Sequence, residues 1–337
     1  MSGQPLLSIC IATRNRGSYL ARALARLKAI DGDDIEVVVV DGASSDDTAQ
    51  VLRAAAAHDA RLRHETLATN GGLDRDFNRA VENATGRYVW LCSDDDDILP
   101  GAIDRVRLAL ADEPSLVVVD AVVMSSDLQD VLTPRRMEVS EDRRVAPGDS
   151  DTLMTLTGLH LSFIGGVVID RALWMTRDRE SYFGSYFVHF GVIFQAPLPR
   201  HAMVLKEPCI AIRYGNESWT ARSFEIWMWL WPRLVWSMST CSDDSKQKVC
   251  LQHPWRSARQ LLAFRARGAL TSTEYARLRQ LTPMKWIDHL RICSVLAMPG
   301  VLINWALTAQ LMRAEHPSKQ ALVDLRNSRF AGWRKRQ

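Results

Sequence analysis

Four nearly continuous apolar runs, spaced by segments with helical periodicity, leave this chain few folds to choose from. Residues 6–12 (LLSICIA), 35–40 (IEVVVV), 88–92 (YVWLC) and 116–124 (LVVVDAVVM) lack the strict apolar–polar alternation of a strand with one wet face. Between them, Leu20, Ala23, Leu24 and Leu27 recur at helical spacing, as do Thr48, Val51, Leu52 and Ala55. The pattern further predicts a short strand at 61–67, a helix over 73–84 and another starting near Gly101. Strands buried on both faces and alternating with amphipathic helices predict an α/β fold with a mostly parallel sheet covered on both sides. In such sheets ligands bind beyond the carboxyl ends of the strands, where the strand order reverses.

Three polar clusters fall at those carboxyl ends: TRNR (13–16), DGASSDDT (41–48) and the acidic run Asp94 to Asp97. Packing does not explain four adjacent carboxylates, because like charges repel and Asp is a poor strand residue. One or two of them suit a helix cap. Four ask for a counter-charge, and a hard divalent cation with oxygen ligands supplies it. A rim carrying Arg14, Asp41 and carboxylates that bind a cation suits a ligand with a hydrogen-bonding base and a polyphosphate. The chain has no GxGxxG and no GxxxxGK[ST], so the cation must neutralise the phosphates.

At 337 residues the chain exceeds one small domain, and 47% hydrophobic with 24% charged residues is globular. A net charge of +3 does not point to nucleic acid. The six cysteines include no CxxC pair, and Cys10 and Cys92 sit inside strand-like runs, so buried reduced thiols and a cytoplasmic protein are expected. The short apolar run at the start has no basic region before it, so no secretory signal is expected.

The residues LSICIATRNR, VVVVDGASSDDT and NGGLDRDFNRAVENATGRYVWLCSDDDDILPGA resemble, in that order and over about residues 6–125, the amino-terminal half of family 2 glycosyltransferases of the GT-A fold. FIGGVVIDRALW (163–174) is similar to that family's acceptor-side strand, and IRYGNESWTA (212–221) to its R-x-x-x-x-S-x-T stretch. The wording GLDRDFN…WLCSDDD is closest to abequosyltransferases of O-antigen synthesis. The resemblance implies a nucleotide-diphospho-sugar transferase that uses Mn2+ or Mg2+ and inverts the anomeric carbon.

Taken residue by residue, the resemblance sets Thr13 and Arg14 where the first loop meets the nucleotide base, and Asp41 on the base itself. Arg75 and Asp76 lie in the segment approaching diphosphate and sugar, and Arg213 opens the later motif. Aligning Pro100 puts the D-x-D-D pattern on Ser93-Asp94-Asp95-Asp96, a departure at its first acidic position. The ribose contact then falls to Asp94 or Asp95 and the metal to Asp96, with Asp95 as the other candidate ligand; Asp97 reads as a helix cap. The family's base is an Asp in an E-D pair opening a helix, and the matching segment SYFVHFGVIFQA (185–196) offers His189 instead. An imidazole can abstract a proton from a sugar hydroxyl near neutral pH. Glu180 and Asp178 are the nearby substitutes.

From residue 219 the composition changes, so a GT-A domain at 1–220 and a helical, Trp-rich region at 221–337 are expected. Residues 292–312 carry no charge between Arg291 and Arg313, but Pro299-Gly300 breaks their middle. A helical hairpin dipping into one leaflet or a buried core pair fits better than a true span. The tail 326–337 holds five basic residues and no acid. Together these features predict peripheral attachment at the cytoplasmic face of the inner membrane, with a nucleotide-sugar donor and a glycan or lipid-linked acceptor. The rival readings are a sugar nucleotidyltransferase, which would want a basic, glycine-rich first loop, and a catalytically dead glycan- or partner-binding module.

Overall fold

A computed structural model describes residues 4–215 and 222–331. In chain order the elements are β1 (Leu7–Thr13), α1 (Gly17–Lys28), β2 (Ile35–Asp41), α2 (Thr48–Ala56), β3 (Leu62–Thr66), α3 (Leu73–Asn83), β4 (Tyr88–Ser93), β5 (Asp97–Ile98), α4 (Ala102–Leu110), β6 (Leu116–Met124), β7 (Val131–Thr133), β8 (Arg143–Val145), α5 (Ser150–Thr157), β9 (Val167–Asp170), α6 (Arg171–Thr176), α7 (Val188–Phe194) and β10 (Ala202–Arg213). The helices α8 (Ser223–Glu225), α9 (Trp231–Ser237), α10 (Asp243–Val249), α11 (Ala258–Arg267), α12 (Ser272–Leu281), α13 (Trp286–Ala297), α14 (Gly300–Arg313) and α15 (Lys319–Asn327) follow. Two compact units result. The first gathers Met1–Val123, Pro134–Arg213 and Met238–Val249; the second gathers Met124–Thr133, Tyr214–Ser237 and Cys250–Gln337.

The first unit is built on a sheet in the order β3-β2-β1-β4-β9-β6-β10-β5, with β8 added to β10. Strands β3, β2, β1 and β4 are parallel. Both β1 and β2 are buried along their whole length, which is why their sequences read as unbroken apolar runs. Leu20, Ala23, Leu24 and Leu27 are the buried stripe of α1, at the predicted spacing. The chain winds from β1 to β3 on one side of β1 and then places β4 on the other. The strand order therefore reverses between β1 and β4.

Strand β9 inserts antiparallel between β4 and β6, so β6 runs in the same direction as β4. Gly165, just before β9, receives the Trp90 indole N–H on its carbonyl at 2.9 Å. At the amino ends of the strands, buried Glu36 accepts from Ser8 Oγ at 2.6 Å, Thr85 Oγ1 at 2.9 Å and the Gly86 N–H at 3.0 Å. That closes the end of the sheet opposite the polar clusters. Cys10 and Cys92 are buried free thiols, and burial pushes both above the usual thiol range.

In the second unit Phe224, Met228, Trp255, Leu261, Phe264 and Ile292 belong to one core. The Trp-rich run lies here, with Ile226–Leu230 widened to a π-helix. Pro232 lies two residues beyond it; its ring has no N–H and crowds the carbonyl four residues back, which favours the wider turn. Ser218 and Thr220 of the predicted R-x-x-x-x-S-x-T stretch, and residues 332–337 of the basic tail, lie outside the described residues.

Candidate active site

The register of β1 aligns Thr13 with Asp41 on β2 and Ala12 with Ser93 on β4, so the three polar clusters share one rim. Thr13 donates from Oγ1 to Asp94 Oδ2 at 2.6 Å across the point of strand reversal. The Arg16 guanidinium meets Asp94 Oδ1 at 2.9 Å through Nε and Asp95 Oδ2 through its terminal nitrogen. Asp94 is 3% exposed, and burial raises its carboxyl to about 6; Arg16 works against this shift and Asp95 adds to it. Burial, then the neighbouring Asp95, also holds Asp96 well above the usual carboxylate range.

Arg213, at the end of β10, closes over the acidic run. Its N–H donates to Asp96 Oδ1 at 3.1 Å and its Nε to the Asp95 carbonyl at 3.2 Å. The Tyr19 ring lies 4.6 Å from the Arg16 guanidinium and 5.7 Å from that of Arg213. Asp96 and Asp97 line a cavity of about 500 Å³ bounded also by Ile11, Ala23, Cys92 and Pro100. Asp97 pairs with Arg26 of α1 rather than capping α4, whose first turn follows Gly101 in the left-handed region at φ +72°.

Asp41 Oδ1 accepts the Ser44 N–H at 3.0 Å and its hydroxyl, while Asn15 bridges the two loops through Ser44 Oγ at 2.8 Å and the Ser45 N–H at 2.7 Å. Asp46 has a separate, capping role, accepting the Thr48 N–H at 3.1 Å and the Gly17 N–H at 3.3 Å. Asp76 sits beside Gly42, where any side chain would strike its carboxylate. Burial raises Asp76 to about 6, with Arg14 lowering it and Asp41 raising it. Asp41 Oδ2 and Asp76 Oδ1 are buried without a hydrogen-bond partner among the described residues. Arg14 and Arg75 are exposed at the rim, Arg75 with its guanidinium 4.5 Å from the Phe183 ring.

Nine of the ten sequence-predicted site residues therefore lie on this rim: Thr13, Arg14, Asp41, Arg75, Asp76, Asp94, Asp95, Asp96 and Arg213. His189 does not. It is fully buried in α7, where its Nε2 lies 2.8 Å from the Leu161 carbonyl, and burial lowers its imidazole to about 4. A ring enclosed in the core and bound to a backbone carbonyl cannot meet a sugar hydroxyl, so the structure corrects the assignment of His189 as base. Glu180 and Asp178 are exposed, and Ser181 holds the Asp178 carboxyl below its ordinary value.

Sequence reasoning missed Arg16, Tyr19 and Asp74. Asp74 accepts the N–H groups of Gly184 at 2.8 Å, Tyr186 at 2.9 Å and Val188 at 3.0 Å, fixing the start of α7. Residues two apart on a helix face different sides, so the separate roles of Asp74 and Asp76 were available from their spacing.

Among the described residues no group of three or more His, Cys, Asp or Glu side chains could hold a metal ion. The acidic turn nonetheless offers hard oxygen donors, with Arg16 paired to Asp94 and Asp95 and Arg26 to Asp97. A cation there needs its remaining ligands from elsewhere, and a diphosphate has them.

Residues 8–167 match the profile of the Glycosyl transferase family 2. The abequosyltransferase RfbV of Salmonella typhimurium is 23% identical over 226 residues, covering 63% of this chain and 68% of that protein. The GalNAc(5)-diNAcBac-PP-undecaprenol beta-1,3-glucosyltransferase of Campylobacter jejuni is 34% identical over 104 residues, 30% of this chain. With that protein, and with another curated relative that is 35% identical over 113 residues, the alignment spans only about a third of the relative's own length. Among solved structures, S. aureus TarS 1–349 in complex with UDP superposes with a TM-score of 0.57 at 16% identity, over 95% of this chain and 89% of that one. A mannosyltransferase from Pyrobaculum calidifontis in complex with GDP-Man and Mn2+ superposes with a TM-score of 0.52, also at 16% identity, over 93% and 89%. At such identities the likeness is one of fold.

Proposed function

Because residues 8–167 match the Glycosyl transferase family 2 profile, we propose that this protein transfers a sugar, with inversion, from a nucleotide-sugar donor to a hydroxyl of a glycan or lipid-linked acceptor. The setting is cell-surface polysaccharide synthesis at the cytoplasmic face of the inner membrane. One observation carries this reading: Thr13, Arg16, Asp94, Asp95 and Arg213 are joined at the strand-order reversal between β1 and β4. The UDP complex of one structural neighbour, the GDP-Man complex of the other and the undecaprenol-linked substrate in the name of the Campylobacter relative support the donor and acceptor classes.

Asp41, oriented by Ser44 and with Oδ2 unspent, takes an N–H of the nucleotide base. Asp94, held by Thr13 and Arg16, faces the ribose. Asp95, with Asp96 beside it, would hold Mn2+ or Mg2+. When bound, the cation stabilises charge on the departing diphosphate. Arg14 and Arg75, the exposed guanidinium groups of the rim, offer further positive charge to the phosphates. Arg213 braces the acidic turn through its backbone and so keeps the carboxylates in place without a ligand. The acceptor proton goes to a surface carboxylate of the 178–184 segment, Glu180 or Asp178, which Phe183 links to Arg75.

The test is transfer and donor hydrolysis with a panel of UDP-, GDP-, CDP- and TDP-sugars, with and without a chelator. Chelator-sensitive release of one nucleoside diphosphate is the expected result. Release of pyrophosphate from sugar phosphate and nucleoside triphosphate would identify a nucleotidyltransferase instead.

A further inference from the structure

The second unit presents its apolar residues to the wrong side for a protein surrounded by water. In α14 the buried positions are Gly300 and Asn304, while Val301, Leu302 and Trp305 are 52%, 62% and 65% exposed. Asn304 is turned inward because its amide donates to the carbonyls of Ala266 at 3.1 Å and Leu325 at 3.0 Å and to Ser328 Oγ at 3.0 Å. Gly300 lies where any side chain would strike the Phe330 ring. On α13, Ile292 and Val295 turn inward, and Trp286 and Leu290 stand 75% and 54% exposed. A helix that buries its amide and exposes its aliphatic and indole groups is ordered for an apolar medium outside it.

We infer that the α13–α14 hairpin is a lipid-contact surface that lies in one leaflet of an anionic bilayer without crossing it. The two helices meet at 87°, and no single described helix is long and apolar enough to cross a membrane. With 12 and 14 residues they reach about 18 and 21 Å at 1.5 Å per residue, short of a hydrocarbon core of about 30 Å. Exposed Trp residues suit the headgroup boundary. Charge selects the occupant. Residues 258–331 carry eleven Lys and Arg against four Asp and Glu, one of which, Asp288, is buried and paired with Arg256 and Arg291. Arg265 donates to the Met298 carbonyl at the bend, at 3.2 and 3.1 Å, which keeps a guanidinium beside the apolar face. A second copy seated face to face would bring these basic margins together, whereas anionic headgroups neutralise them.

This inference rests on the membrane setting proposed above and not on sugar transfer. The experiment is flotation of the full chain with vesicles of phosphatidylcholine alone or mixed with phosphatidylglycerol, with tryptophan quenching by lipids brominated in the acyl chain. Wild type floats with the mixed vesicles and its emission is quenched. Leu302→Glu with Trp305→Glu lowers vesicle affinity at least tenfold, with donor turnover unchanged. Trp305→Phe, which preserves packing, keeps binding and loses part of the quenching. Wild type that ignores mixed vesicles at low salt overturns the inference. So does a stable dimer that the double glutamate variant splits while vesicle binding survives. Vesicle binding without any sugar transfer removes the proposed function and leaves the inference standing; donor turnover without vesicle binding does the reverse.

Discussion

Thr13 and Asp94, 81 residues apart in sequence, are joined by a 2.6 Å hydrogen bond from hydroxyl to carboxylate across the reversal point of the sheet. The Asp94 carboxylate is buried, so this donor offsets part of its desolvation. Thr13→Val keeps the shape and removes the donor. About 1.5–3 kcal/mol of stability should be lost, as for a hydrogen bond to a charged group. Thermal melts of the variant, with and without nucleoside diphosphate, measure it; an unchanged melt means the hydroxyl contributes nothing.

Asp95 and Asp96 should separate in their effects. Asp95→Ala is expected to abolish divalent-dependent turnover, since its carboxylate lies on the rim beside Arg16. Asp96→Ala should also unsettle β10, because it removes the acceptor of the Arg213 N–H. Metal titrations of turnover beside melts of each variant discriminate. Full activity in both variants would eliminate the cation site.

Asp76 predicts a pH effect with a definite sign. Its carboxyl is raised to about 6, so the folded chain holds this proton more tightly than the unfolded chain does, whose value is about 3.9. The resulting stabilisation is complete below about 3.9 and is lost as pH rises through about 6. Asp76→Asn cannot titrate. The stability difference between wild type and Asp76→Asn should therefore shift in favour of wild type on going from pH 7.5 to pH 5. Urea melts across that range test it, and a difference independent of pH would contradict the burial of this group.

His189 should behave as core. His189→Ala leaves the Leu161 carbonyl unpaired and opens a cavity, a loss of about 2–4 kcal/mol. With its imidazole lowered to about 4, it contributes no titration to the pH–rate profile between 6 and 8. A variant of normal stability that has lost turnover would restore His189 to the chemistry.

The strands and the rim were legible because both follow from one-dimensional patterns. A strand covered on two faces must be apolar throughout, and a polar residue at its carboxyl end must lie on the rim; Thr13, Asp41 and Asp94 follow from that alone. The pairing of Arg16 with Asp94 and Asp95 was not legible, since it depends on how the β1–α1 loop folds back over a strand formed 79 residues later. The four-residue strand β9 likewise has no local mark of its antiparallel place between β4 and β6. For His189 the sequence located the helix but not its surroundings. Every residue of α7 is buried, and a helix that is apolar all round has no wet face on which to display a base.

The reach of Arg213 back to Asp95 and Asp96, over 118 and 117 residues, carries a consequence for biosynthesis. A ribosome releases the acidic turn long before it releases the end of β10. Until then β1, β2 and β4 can pair, but the turn lacks its backbone brace and Asp96 has no N–H to accept. Nascent chains arrested before residue 213 should thus acquire protease-resistant parallel strands while the acidic turn remains cleavable, so the site is finished last.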